Sequence, residues 1–530
     1  MKKSLFVLLC ALASASVMAA DLPAPTDWMR YYQIAAEQGD PEAQMKMGWA
    51  YEKGDGVIKD LAKAAEWYRK AAEQGEPAAQ YNLAIMLLEG NGVKKDSAGG
   101  MGWLKKSADQ NFPAAQNYLA SVYDKGQAGV AASQEESAKW LAKAAELNDV
   151  NAQNNLGLKY ATGQGVQKSF PEAVKWFTAS AEQGLAAAQA NLGMIYRDGA
   201  DGVKQDFEQA RKWFGMAAEQ GNVLSQTKLG WMFNKGQGGP VDQAQAAKWF
   251  GKAADQGDAD AQVQLGWMYE QGQGLAKDFT QAINSYRKAA DQKNAVAANN
   301  LGVMYRDGHG VQANPTEAEK WFRIGADAGN IHAQSNLAQL LEQTKPADAM
   351  AYYRKAAEQG VASAQGRLGW LMMKTGGDPK EAAQWMKKAG DQGDAAAQNN
   401  LGVLYELGQG VAKDATQAAS WYKKAAEQGD AAAQNNIGVM YRDGAGVAQS
   451  ADQAVAWFRK SAEQGYTKAM LNLGAIYERM TKASAPAAAP QQAPAPAQQS
   501  MPAMPRPGSP MAMPLTMPMP PVMMPLPMGR

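Results

Sequence analysis

The feature that most constrains this chain is a phase. Glycine, or a residue in its place, recurs at Gly39, Gly75, Asn111, Asn148, Gly184, Gly221, Gly257, Lys293, Gly329, Gly360, Gly393, Gly429 and Gly465. The successive gaps are 36, 36, 37, 36, 37, 36, 36, 36, 31, 33, 36 and 36 residues. Eight residues before nearly every mark stands an aromatic, from Trp67 and Trp103 through Tyr352 to Trp421 and Trp457, with Ser285 as the break. A phase held from Gly39 to Gly465 defines a repeat architecture, in which each unit buries its apolar face only against its neighbours.

The unit at 394–429 reads DAAAQNNLGVLYELGQGVAKDATQAASWYKKAAEQG. Ala397, Leu401 and Tyr405 fall four apart, on one face of a helix. Gly408 and Gly410 end that helix, and Asp414 caps a second whose inner face carries Ala418, Trp421, Tyr422 and Ala425. Pro41, Pro77 and Pro113 stand at first helical positions. Asn111 and Asn148 suit a left-handed helix cap, whereas Lys293 does not. Units 330–360 and 361–393 are short because the turn between their helices is cut down. Residues 26–39 read as a lone second-type helix covering the first repeat, and the last helix, about 466–480, has no partner after it.

The consensus LG.xY..G.GV..D...A..WY.KAAEQG, with Gly-x-Gly-Val turns at 54–57, 90–93, 163–166, 308–311, 408–411 and 444–447, resembles the Sel1-like repeat (SLR) family, relatives of the tetratricopeptide repeats. The resemblance covers roughly residues 26 to 480. It implies an all-α, right-handed α-solenoid of about twelve helix-turn-helix repeats, and a family that acts mostly as adaptors and scaffolds. The cysteine-rich secreted members are stapled by disulfides; this chain has one cysteine, Cys10, so that device does not carry over.

The flanks read differently. Residues 1–20 have the form of a secretory signal: Lys2 and Lys3, an apolar Leu5 to Leu12, and small residues at Val17-Met18-Ala19 or Met18-Ala19-Ala20. Leu9, bulky where a small residue is required, weighs against lipoprotein processing at Cys10. Residues 21–480 form the solenoid. Residues 481–530 hold 14 of the 24 prolines and, from Met501, nine methionines, so this stretch is expected to be extended and disordered. Its thioethers suit Cu(I) or Ag(I), which gives an alternative reading as an envelope metal-handling protein; the plainer reading is a spacer or docking segment.

Charge is balanced, 53 basic against 52 acidic residues, which leaves no field for nucleic acid or an anionic membrane. With two histidines, His309 and His332, neither at ligand spacing, no metal site or cofactor is expected. Ser225, Ser285 and Ser420 each begin an SxxK, and Lys374-Thr375-Gly376 spells KTG, but they fall inside repeat helices and a turn, and no SDN occurs. No catalytic residue is assigned. The glycine turns follow no strand and precede no GK[ST], so they cap helices rather than hold phosphate.

A binding surface is the remaining expectation. The residue two after the Leu of LGxxY lies about 200° around the helix from it, facing away from the core. By family analogy that direction is the concave groove, and it carries Trp49, Trp231, Trp267 and Trp370. Three residues further on lie Arg197, Arg306 and Arg442, and Trp and Arg dominate many interfaces. The competing expectation buries these tryptophans against the next repeat. The sequence thus points to a secreted or periplasmic adaptor that binds protein or peptide partners, with Trp231, Trp267 and Arg306 central to one site.

Overall fold

The computed structural model describes residues 27–484, and its 26 elements, α1 (Asp27–Glu37) to α26 (Thr467–Ser484), are all helices. The signal-like residues 1–20 and the proline- and methionine-rich stretch from 485 lie outside the described residues. The chain divides into two bodies, one ending at Asp430 and the other starting at Ala431.

In the first body the even-numbered helices are the first of each pair and the odd-numbered ones the second. The unit α22 (Ala395–Leu407) and α23 (Ala415–Glu427) shows how local sequence sets them. The Asp394 carboxylate accepts from Ala397 N, and Gly408, at φ +74°, closes the helix. Asp414 accepts from Thr416 N and Gln417 N to start the next, and Gly429 turns left-handed at φ +96°. Each cap satisfies backbone groups that a helix end leaves unpaired. The closing position is left-handed even at Lys293, with φ +65°, as at Asn111 and Asn148. The sequence expectation that Lys293 breaks the rule is therefore corrected: stacking of the repeats imposes the conformation on a residue that disfavours it.

The second glycine of the turn serves stacking. A Cβ on Gly410 would sit 2.0 Å from the carbonyl oxygen of Pro379, at the start of the preceding second helix, α21 (Pro379–Asp391). The glycine of LG makes room inside the pair, since a Cβ on Gly402 would lie 2.6 Å from the Tyr422 ring. Alanine elsewhere keeps helices close, so the core is a series of small clusters. One joins Ala173, Phe177 and Ala181 of α9 (Phe170–Glu182), Ala188 and Leu192 of α10 (Ala186–Asp198), and Trp213 of α11 (Phe207–Glu219). Trp213, Trp249, Trp321, Trp385 and Trp421 thus each seal the repeat before their own.

A glutamine ladder runs through this core. Gln398 Nε2 donates to Gly390 O (2.9 Å) and Gln428 Nε2 donates to Gln398 Oε1 (2.7 Å). The same relay joins Gln44 with Gln74, Gln80 with Gln110, Gln153 with Gln183 and Gln226 with Gln256. One repeat has lost both members, to Ala298 and Ala328. Another has lost only the donor: Leu147 stands in its place, and the buried Gln116 Oε1 has no partner.

The short units keep both helices and shorten the link. Residues 342–345 join α18 (Ile331–Leu341) to α19 (Pro346–Glu358), and 375–378 join α20 (Ala362–Lys374) to α21. The second body continues the pattern with α24 (Ala431–Asp443), α25 (Ala451–Glu463) and α26, and Gln464 donates to Gln434 at 2.8 Å.

Candidate partner-binding surface

Among helices two apart in the first body, the most extensive contacts are between first helices: α10 with α12 (Val223–Lys235), α16 (Ala295–Asp307) with α18, and α20 with α22. The first helices therefore form the inner layer. Asparagines bridge neighbours across it: Asn191 Nδ2 donates to Asn154 Oδ1 (3.0 Å) and Asn336 Nδ2 to Asn299 Oδ1 (2.8 Å).

The four tryptophans differ. Trp49 is 41% exposed. Trp231 is half-buried, edge-on to the Phe250 ring at 5.3 Å, with Lys235 Nζ 5.4 Å from its centroid. Trp267, on α14 (Ala259–Gln271), is half-buried and touches the cores of two repeats. Trp370 is also half-buried, between two clusters, with Lys374 Nζ at 4.8 Å. Trp231, Trp267 and Trp370 each pack in part against core clusters, which the helical wheel of a single helix cannot show.

The arginines are engaged by the residue that follows. Arg197 donates from Nε and Nη2 to the two Asp198 oxygens, both at 2.6 Å. Arg306 holds Asp307 at 2.7 and 2.8 Å and reaches Asn336 Oδ1 at 3.4 Å. Its hydrogen bonds hold the Asp307 carboxyl below the usual carboxylate range. In the second body Arg442 grips Asp443 at 2.7 and 2.8 Å and Asn472 Oδ1 at 3.2 Å. Each guanidinium thus meets solvent as a planar, charge-compensated pair.

The same row contains glutamates with a different role. Tyr68 donates to Glu52 (2.8 Å), Tyr286 to Glu270 (2.8 Å), Tyr422 to Glu406 (2.7 Å) and Tyr353 to Glu342 (3.0 Å). Where the second helix carries Phe, as at Phe214, Phe250 and Phe322, the matching residue is Arg197, Asn234 or Arg306. A buried phenol needs an acceptor and a phenyl ring does not. Glu52 and Glu270 are therefore bound to the core rather than offered to a partner.

Two residues complete a patch that the sequence reading missed. Leu224, two turns before Trp231 on the same face of α12, is 49% exposed. Lys228 is half-buried on that helix; burial first, and then the nearby Arg197 charge, push its amine below the usual lysine range, against the opposing pull of Asp198, Asp260 and Asp258. A signal existed for both. Lys228 stands where other repeats have Asn155, Asn191 and Asn300, and Leu224 where they have Ala187 and Ala396. Leu224, Lys228, Trp231, Trp267 and Arg197 thus bring an apolar surface and a poorly solvated ammonium together.

The serines of the SxxK matches sit otherwise. Ser225 is wholly buried in α12 and its Oγ has no partner, Ser285 is buried in α15 (Phe279–Asp291), and Ser420 is exposed on α23. Thr375 of KTG caps α20. His309 stacks on Phe279 at 5.4 Å, and His332 lies on the first turn of α18. Among the described residues no His, Cys, Asp and Glu gather in a group that could hold a metal, and no helix is long and apolar enough to cross a membrane.

Comparison with known proteins fits this geometry. The model of the Sel1 repeat matches thirteen segments from residue 29 to 466, a half unit at 29–40 followed by twelve full ones. No curated protein matches the chain. The crystal structure of c5321, a protective antigen of uropathogenic Escherichia coli strains displaying an SLR fold, is 35% identical. It aligns over 81% of this chain and 99% of its own, with a TM-score of 0.68. A Sel1 repeat protein from Oxalobacter formigenes is 31% identical over 63% of this chain and 98% of its own, with a TM-score of 0.47. The match indicates no catalytic family, and with a repeat phase unbroken from residue 29 to 466 this chain belongs to the Sel1-repeat family.

Proposed function

We propose that this protein is a non-enzymatic adaptor of the cell envelope or its surroundings. It holds an extended segment of a partner protein on the inner face of α10, α12 and α14. The observation that carries the reading is the patch of Leu224, Lys228, Trp231 and Trp267. The shift of Lys228 stays downward despite Asp198, Asp258 and Asp260, so a partner carboxylate that reaches its half-buried ammonium directly would still be favoured, and the flanking leucine and indoles favour an apolar side chain beside that carboxylate. The preferred segment is therefore acidic and apolar in alternation. Trp49, Trp370, Arg306 and Arg442 are further candidate contacts. The signal-like residues 1–20 support a periplasmic or secreted location, and a relative that is a protective antigen favours the same.

Affinity capture from envelope extract tests this. The unaltered chain is expected to retain one or more identifiable proteins, and the Leu224→Glu, Lys228→Gln double variant to lose them at least ~10-fold with helicity unchanged. Equal retention by both chains would remove this patch as the site.

A further inference from the structure

The two ends of the array are finished differently. At the start, α1 closes the first body itself. Trp28 occupies the position that is alanine in other second helices (Ala210, Ala246, Ala282), and it packs edge-on to Tyr32 at 5.8 Å. At the other end α26 is a first helix with no described second helix after it. Its Met470, Leu471 and Tyr477 are 47, 70 and 41% exposed. Among the described residues, Gly474, the glycine of its LG, has nothing within 4 Å of where its Cβ would be, whereas Gly438 faces the Phe458 ring at 2.8 Å. The glutamine ladder also stops here, because Met470 replaces the glutamine that would await a donor.

We infer that a methionine of this chain's own segment 501–530 fills the empty socket beside Gly474. The chain leaves α26 at Ser484 and continues for residues 485–530, so this segment starts at the open face. Only ~15 Å of helix separates Ser484 from Gly474, and the 17 residues from Ser484 to Met501 reach ~50 Å when extended. Prolines at 486, 490, 494 and 496 prevent this stretch from forming the missing second helix. Residues 485–530 contain no aromatic ring. A methionine suffices, because the chain already uses one: the socket of Gly369 is filled by Met386, whose Cγ lies 2.8 Å from the glycine's would-be Cβ. An unbranched thioether adapts to such a gap and contacts Tyr477 favourably.

The test uses the full chain labelled on methionine methyls, and reads through-space contacts between methyls of 501–530 and Met470 or Tyr477. At least one tail methyl should show such contacts and a shift away from the free-peptide position. The Gly474→Trp variant, which fills the socket from the helix itself, should return that methyl to the free position while α26 stays helical. All nine tail methyls at the free-peptide position in the unaltered chain would overturn the inference. So would contacts that disappear on dilution, which would make a second copy the occupant, or contacts that survive Gly474→Trp unchanged.

Discussion

Leu147 offers the sharpest test of how the repeats are held together. It stands where ten other repeats, in both bodies, place the glutamine that donates to the first helix, and Gln116 Oε1 is buried with no partner as a result. An unsatisfied buried acceptor costs about 1–3 kcal/mol, and a restored amide hydrogen bond is worth about 1 kcal/mol net of water. Leu147→Gln gives up part of a side chain that is already 43% exposed, so the apolar loss is small. Ordering the new side chain costs up to about 1.5 kcal/mol, which leaves a net stabilisation of about 1 kcal/mol. Long repeat arrays do not unfold in one step, so the effect is best read locally. Amide exchange in α6 (Pro113–Lys125) and α7 (Gln134–Glu146) should slow about fivefold, with helices far from the site unchanged. The mirror change, Gln110→Leu, should orphan Gln80 Oε1 and speed exchange there by a similar factor. If Leu147→Ala protects as well as Leu147→Gln, or if Leu147→Gln protects nothing, the ladder is not a stabilising element and the argument fails.

Three further outcomes follow from the same packing. Lys293→Gly should stabilise by about 0.5–1 kcal/mol, since it relieves a left-handed lysine at φ +65°; protection in α15 and α16 that stays unchanged would contradict this. Gly410→Ala should destabilise by about 3 kcal/mol, because its Cβ would meet the Pro379 carbonyl. Gly429→Ala, with open space around it, should cost about 1 kcal/mol, so equal melting shifts for the two would refute the stacking role. Burial first, and then the Glu52 hydrogen bond, hold the Tyr68 phenol well above its usual range; burial and Glu406 do the same for Tyr422. A raised folded value means the folded state keeps protons that the unfolded chain loses, so this contribution is intact below ~10 and declines as pH rises beyond it. Tyr68 and Tyr422 should therefore remain protonated in an absorbance titration until helicity is lost, and titration near the free value in folded protein would contradict this.

Much of this architecture is legible in one dimension because its signals are short-range. Caps need an Asp or a Gly within a turn of the helix end, and Asp394, Gly408, Asp414 and Gly429 announce one complete unit. The pairings between helices were harder to read, although they are written in the chain. Tyr68 with Glu52 and Gln74 with Gln44 lie 16 and 30 residues apart, and their logic emerges only when repeats are compared. The surface row was legible only in position. A wheel drawn on α12 or α14 alone places Trp231 and Trp267 outward, but both pack in part against one core cluster that joins residues of α13 (Gln243–Asp255) and α14. In the sequence Lys228 reads only as the lysine of the SxxK match that starts at Ser225, because a lysine usually signals solvent; burial on α12 gives it a different character. The Arg-Asp dipeptides at 197, 306 and 442 were readable as pairs, which removes much of their free charge.

The adaptor reading turns on which layer of helices meets the partner. A photo-crosslinking residue placed in turn at Leu224 and Trp267 of the inner layer, and at Lys212 and Lys248 on α11 and α13 (Gln243–Asp255), compares the two layers in living cells. The account predicts discrete protein adducts from Leu224 and Trp267 and none from Lys212 or Lys248. Adducts confined to the second-helix positions would contradict it.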